Sequence, residues 1–596
     1  MPDHHSLARR RAVFAALVVS SALALVGLLF HLLRIDGFSV FDGALLLCFA
    51  ISTPWIIIGF WNSAIGFALV AAGRDWLQRI SPLAHEFDGP IRSRTAIVMP
   101  VFNEVPSSVF QHLRVVADSL ARTGEARHFE LHLLSDTNDP ELLAAEVAHV
   151  DAWNTQGAAL ALRYRHRADN DGFKAGNLRE FVECEGERFD YFIVLDADSL
   201  MSGEAMLRLV RAMQAHPEIG IVQTLAVGLP SESPFARIFQ FGMRHAMRPY
   251  TIGSAWWQGD QGPYWGHNAI VRMRPFIESC ELPLLPGRGP LSGPILSHDQ
   301  VEAVLMRRAG YEVRVLPVEG GSYEKNPPTL NDFIKRDLRW CQGNLQYLWL
   351  LGMPGLRALG RVQLGLAIMM YMAAPAWLGF LCIGVTQILL PTLGQSATGR
   401  HTASVTLGLA LFGILMTMNL APKLFGAADV LFDAQRRRAW GGGAKVVSQT
   451  LGETVMSMLI GPVIAVAQTV FIAGLVVGRR MRWNAQTREG HALSPGEAAG
   501  RLWLQTAFGL GALFVLVNVA PIAALWTAPV LAGLTICIPL ACLSSLPVLG
   551  RAMADYRVFS IPEELEPTPE TAMLETRPVP AFAPALNARA VPAEGD

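Results

Sequence analysis

Six runs without a charged residue divide the chain: residues 13–30, 43–73, 362–399, 402–422, 454–478 and 502–550. Each reaches the roughly 18 apolar residues that a helix needs to cross a bilayer. The last is long enough for two crossings, with Pro521 at a possible turn. The pattern predicts a multi-span α-helical membrane protein with a polar insert between its second and third runs. Arg9-Arg10-Arg11 precede the first run, and Arg74 and Arg79 follow the second. Positive flanks of this kind place the N-terminus and the polar insert in the cytoplasm. No small-x-small cleavage site follows the first run, so it reads as a retained anchor. Arg436-Arg437-Arg438 and Arg479-Arg480-Met481-Arg482 put positive charge on both sides of 454–478. That run is therefore expected to be a re-entrant segment, a tight hairpin or an interfacial helix, with Gly461-Pro462 permitting a break. Spans then number six to eight, four to six of them within 361–550.

Between residues 75 and 360 the pattern changes to short apolar strands alternating with amphipathic helices. Strands are predicted at 95–100, 129–134, 191–195 and 219–224, and helices near 107–122, 140–156 and 203–215. Such alternation predicts a mostly parallel, Rossmann-like α/β sheet covered on both faces. Ligands of these sheets gather at the carboxyl ends of the strands. Asn103-Glu104, Ser135-Asp136-Thr137 and Asp196-Ala197-Asp198 all fall at such ends. Beyond Arg551 the chain turns Pro-, Ala- and Glu-rich and reads as a disordered acidic tail over 551–596.

Candidate chemistry follows from these positions. Asp196 and Asp198, either side of one small residue after an apolar strand, suit a hard cation such as Mg2+ or Mn2+ on a diphosphate. The bland alternative is a solvated strand-end turn. Asn103, Glu104 and Asp136 are placed to hydrogen-bond a base and ribose, or equally to cap loops. Lys174 opens a helix after a polar loop, where free amides and a cation attract phosphate. Asp299, in Ser297-His298-Asp299, is either a helix N-cap or a general base for an acceptor hydroxyl. Arg336 and Arg339 are three apart on one helical face and suit a diphosphate, and Trp340 offers a flat surface to a sugar. A juxtamembrane arginine-aromatic belt would look the same. Trp265, His267 and Asn268 lie in an aromatic, glycine-rich stretch that suits carbohydrate stacking or a packed loop.

Composition narrows the class further. Hydrophobic residues make up 51% of the chain and charged ones 17%, which excludes an ordinary soluble protein. The net charge of −1 singles out no partner, and no nucleic acid is expected. The seven cysteines show no Cys-x-x-Cys spacing, so a disulfide framework is not expected.

Taken in order, Asp136, Asp196-Ala197-Asp198, Asp299 and Arg336 to Trp340 resemble the motif series of processive family 2 glycosyltransferases, the class of cellulose and hyaluronan synthases. His298 stands where those enzymes carry glutamate, and Arg336 where they carry glutamine. The strings at 98–104, 134–139, 195–203 and 339–346 resemble the glucans biosynthesis glucosyltransferase H family more narrowly. The resemblance implies a GT-A domain at 75–360 between an N-terminal region with two spans (1–74) and a C-terminal membrane region (361–550). It also implies UDP-glucose as donor, a growing linear β-1,2-glucan as acceptor, export of that chain, and a bacterial inner-membrane location. Acyl carrier protein and the periplasmic glucan protein G are the implied partners. Asp299 would be the base, Arg339 and the metal on Asp198 would stabilise the leaving UDP, and Trp340, Trp265, His267, Asn268 and His298 would hold the acceptor. The loop 483–501 is a candidate gate. The rival readings are another processive β-glycan synthase, a polyprenyl-phosphate sugar transferase, and a nucleotide-sugar-binding transporter or scaffold.

Overall fold

The structure, a computed structural model, describes residues 4–35, 37–73, 75–84, 87–389, 402–481 and 490–576. Arg74, Arg482, residues 483–489 of the expected gate and residues 577–596 of the expected tail lie outside them. Among the described residues ten strands build the polar domain: β1 Thr95–Val101, β2 Phe129–Ser135, β3 Leu162–His166, β4 Tyr191–Val194, β5 Leu200–Met201, β6 Ile219–Thr224, β7 Val227–Gly228, β8 Ala269–Arg272, β9 Glu312–Leu316 and β10 Ser322–Glu324. Seven form one sheet in the order β3-β2-β1-β4-β8-β6-β9, and β5-β10-β7 form a small second one. Every pairing in the large sheet is parallel except those of β8. The expected mostly parallel sheet is thus present.

Its strands are apolar on both sides because both faces are covered. Ile97, Met99 and Ile193 point into one core with the helices Pro106–Arg122 and Gly203–Ala215. Ala96, Val98, Phe192 and Val194 point into the other, against Phe173–Glu185 and His298–Arg308. The carboxyl ends of β1, β2 and β4 therefore open at one edge.

Six helices among the described residues are long and apolar enough to cross a membrane: Ser6–Arg34, Val40–Ala71, Ala358–Leu389, Val405–Phe432, Gly443–Val476 and Pro495–Val519. The helix Pro234–Gln258 joins the domain to this bundle. It crosses Val40–Ala71 so closely that a Cβ on Gly253 would lie 1.9 Å from the Asn62 carbonyl oxygen, and one on Gly66 1.8 Å from that of Pro249. Only glycine permits that backbone approach.

Two expectations need correction. The break foreseen at Gly461-Pro462 is absent, since Gly443–Val476 runs through Pro462 as one helix. The bend lies further on, where Ala528–Thr535 and Cys537–Ser545 meet at 65°. By length and composition Gly443–Val476 passes for a crossing, but both its ends meet the polar domain. Arg436, just before it, pairs with Glu319 at 2.7 Å, and the Met481 amide, just after it, donates to Gln342 Oε1 at 3.1 Å. The segments flanking this helix are thus both tied to the polar domain, while the helix itself packs against Ala358–Leu389 and Ala528–Thr535. The second correction concerns the tail. Residues 551–576 form short helices docked on the domain, because Glu563, Glu564 and Glu570 each find a buried or half-buried arginine: Arg244, Arg237 and Arg122, all at 2.7 Å. Acidic composition reads as disorder only while its partners are unseen.

Candidate active site

A cavity of about 560 Å³ opens at the carboxyl edge of the large sheet and continues toward the membrane helices. Glu104, Asp136, Lys174, Asp196, Asp198, Trp265, His267, His298, Asp299, Arg336, Arg339 and Trp340 all line it. Residues up to 236 positions apart in sequence thus share one wall. Asn103 and Asn268 are the exceptions among the predicted residues. Asn103 ties two strand ends together, its Oδ1 accepting from the amides of Asn138 and Asp139 and its Nδ2 donating to Asn138 Oδ1. Asn268 is fully buried, with Nδ2 donating to Ser322 Oγ at 2.9 Å and to the Tyr323 carbonyl at 3.0 Å. Its amide nitrogen holds β10 in place, outside the lining of the cavity.

At one end of the cavity, Asp136 follows β2 and is gripped by Arg167, whose Nε and Nη2 donate to its two oxygens at 2.7 and 2.9 Å. This two-point geometry fixes the carboxylate plane. Lys174 sits in the first turn of its helix and donates to both Asp196 Oδ1 and the Gly266 carbonyl. The loop before it folds back so tightly that a Cβ on Gly176 would lie 2.0 Å from the Asp171 carbonyl oxygen. Asp196 begins a turn closed by Ser199, whose Oγ accepts from the Asp196 amide while its own amide donates to the Asp196 carbonyl. The turn directs Asp196 and the buried Asp198 to the cavity.

On the opposite wall, Ser297 is the N-cap of His298–Arg308, so Asp299 is a first-turn residue and not the cap. The Leu330–Leu345 helix packs onto this start: a Cβ on Gly343 would lie 2.3 Å from Ser297 Oγ. Just beyond, Gln346 Oε1 accepts from the Leu296 amide and Tyr347 donates to the Ser297 carbonyl, both at 2.8 Å. The string that follows Trp340 therefore locks the loop that presents Asp299. Arg336 stacks over the Trp340 ring at 4.7 Å, Arg339 is buried, and Trp340 remains exposed.

Burial pushes the Asp299 carboxyl above the ordinary carboxylate range; the charge of His298 pulls it back, while Glu302 adds to the rise. Burial also works against a charged His298, but Glu302, 3.0 Å from its Nδ1, outweighs it and lifts the imidazole above its usual value. Arg167, Glu302 and Glu324 were not predicted. Only the four-residue spacing of His298 and Glu302, and the place of Arg167 at the end of β3, signalled them in sequence. Glu324 pairs with His267 across the cavity at 3.3 Å.

Two family models match the chain: Glycosyl transferase family 2 over residues 96–279, and Glycosyl transferase family group 2 over 191–421. The glucans biosynthesis glucosyltransferase H of Xanthomonas campestris is 36% identical over 576 residues, spanning 94% of this chain and 88% of that protein. The same enzyme of Cupriavidus pinatubonensis is 37% identical, over 95% of this chain and 67% of that one. That of Xylella fastidiosa is 35% identical, over 89% and 84%. With the cavity, the motif order and these likenesses along nearly the whole length, the chain belongs to the glucans biosynthesis glucosyltransferase H family of family 2 glycosyltransferases.

Proposed function

We propose that this protein is a processive, inverting glucosyltransferase of the bacterial inner membrane. It takes UDP-glucose on the cytoplasmic side, builds the linear β-1,2-glucan backbone of osmoregulated periplasmic glucans, and exports the chain through its spans. The observation that carries the reading is the single cavity in which Asp136, the Asp196–Asp198 turn, Asp299 and the Arg336–Trp340 turn face one another. Donor and linkage rest on the family's name and the motif resemblance, as do acyl carrier protein and the periplasmic glucan protein G as partners.

In the proposed reaction the Asp299 carboxylate takes the proton of an acceptor hydroxyl. The freed oxygen pair attacks the anomeric carbon of the donor, and the bond from that carbon to the UDP oxygen breaks, its electrons leaving with UDP. A buried base with a raised pKa accepts a proton more readily than a solvated one. Arg339, on the same cavity wall as Trp340, would stabilise the charge that develops on the leaving group, the kind of interaction that contributes most to such transfers. Trp340 holds the acceptor ring, keeping the chain seated between additions. Asp136 and Glu104 hold the nucleoside.

No group of three or more His, Cys, Asp or Glu suited to a metal occurs among the described residues. Asp198, with Asp196 beside it, nevertheless fits Mg2+ or Mn2+, because Mg2+ is commonly held by one or two carboxylates plus substrate phosphates and water. Bound there, such an ion would neutralise charge on the diphosphate.

Membranes carrying the protein should convert radiolabelled UDP-glucose, with Mg2+ and acyl carrier protein present, into a glucan cut only by a β-1,2-specific glucanase. Asp299→Asn should insert normally, bind UDP, and lose transfer by about three orders of magnitude or more. A β-1,3 or β-1,4 product would overturn the linkage; a lipid-linked monosaccharide would overturn processivity; absence of transfer from any UDP-sugar would favour a binding role.

A further inference from the structure

The first turns of His298–Arg308 hold an ion pair to which the reaction above gives no task. His298 Nδ1 lies 3.0 Å from Glu302 Oε1, one helical turn away. Both residues are buried, Glu302 being 2% exposed; its second oxygen has no hydrogen-bond partner and His298 Nδ1 makes no directed hydrogen bond, so the contact between them is one of charge. A carboxylate so enclosed is retained only if neutral or matched by a cation, and His298 is the basic group in contact with it. The same imidazole lines the cavity next to Asp299.

The remaining groups around the pair do not replace this cation. From the preceding loop Tyr264, from the end of the neighbouring helix Cys280, and after the arginine-tryptophan helix Tyr347 face Glu302; burial pushes all three up, so they stay neutral. Lys174 is the other cation near Asp299, and it already donates to Asp196 and the Gly266 carbonyl.

We propose that Glu302 is a positioning residue that holds His298 as an imidazolium beside Asp299, and that this cation keeps the buried base ionised until it receives the acceptor proton. The proposal rests on the reading of Asp299 as the base. His298 acts on Asp299 more strongly than Glu302 does in the opposite sense, so losing both charges leaves Asp299 harder to ionise.

The test is the pH dependence of initial glucosyl transfer by the full-length protein in membranes, with UDP binding as the control for folding. For the wild type, the rate should fall at low pH as Asp299 is protonated and at high pH as His298 loses its charge. In Glu302→Gln the alkaline limb should move down by about one pH unit, narrowing the active range from that side, with a maximal rate about tenfold lower. Glu302→Asp keeps the charge and should restore the wild-type limbs. His298→Gln should raise the acid limb and abolish the alkaline one, and it decides the matter if Glu302→Gln fails to bind UDP. Unmoved limbs in variants that bind UDP, with or without a slower rate, would overturn the proposal while an inactive Asp299→Asn kept the base. An active Asp299→Asn would instead remove the base reading itself.

Discussion

Asp136 and Asn268 show how little a residue's position in a motif says about its task. Both end or flank an apolar strand, yet Asp136 faces the cavity in the grip of Arg167, whereas the Asn268 amide points inward to β10. The Asp136–Arg167 pair is almost fully buried, with side-chain exposures of 4% and 9%. Removing one partner of a buried pair leaves an uncompensated charge and costs about 3–5 kcal/mol. Arg167→Ala is therefore expected to weaken UDP binding by at least about tenfold and to lower thermal stability, both measurable by titration calorimetry and a melting curve. Unchanged UDP affinity would show that Asp136 braces the loop and does not touch the nucleoside.

Among the elements, the contact of Pro234–Gln258 with Val40–Ala71 carries the domain on the bundle. Its closest point is glycine against backbone. A side chain at Gly253 has nowhere to move, because what it meets is the Asn62 carbonyl and not a flexible tip. Gly253→Val should separate the two helices, and the yield of detergent-stable protein should fall at least severalfold, while the same change at Gly27, where a Cβ meets nothing within 4 Å, should be tolerated. Equal yields would mean that the helices tolerate separation. The Gly443–Val476 helix teaches the converse. Gly461-Pro462 is a breaking pair in isolation, but packing against neighbours on both sides carries the helix through it.

Across the whole molecule, a cluster of buried charge joins regions far apart in the chain. Arg244 meets Glu319 and Glu563, Arg436 meets Glu319, and Arg248 meets Asp429 at 2.5 Å. The docked tail is thus one side of a junction between sheet domain and membrane helices. Burial works to raise the Glu319 carboxyl, but Arg244 and Arg436 more than offset it and hold its pKa at about 2. Because this folded value lies below the ordinary one near 4.5, the stabilisation is complete above that pH and is lost as pH falls toward 2. Unfolding of the purified protein should therefore set in across that acid window. Truncation after residue 550 should remove Glu563, Glu564 and Glu570 together, leaving Arg244 and Arg237 less well matched and the melting temperature lower by several degrees. An unchanged melting curve would show the tail to be a passenger.

What the sequence determined by itself is what short-range chemistry determines. Charge-free runs mark helices for a bilayer, short continuous apolar runs mark strands buried on both faces, and the polar residues that end those strands gather at one edge because a parallel sheet sends them there. Asp136, Asp196 and Asp198 were legible for that reason, and Asp299 and Trp340, which lie on helices, through the motif order they share with family 2 glycosyltransferases. The tertiary structure alone decided which of these side chains reach the cavity, that Arg167 and Glu302 stand behind them, that Gly443–Val476 stays continuous, and that the acidic tail docks. Each of those outcomes depends on a partner distant in the chain or on the direction of a buried side chain, and an energy set by such contacts leaves no local pattern to read.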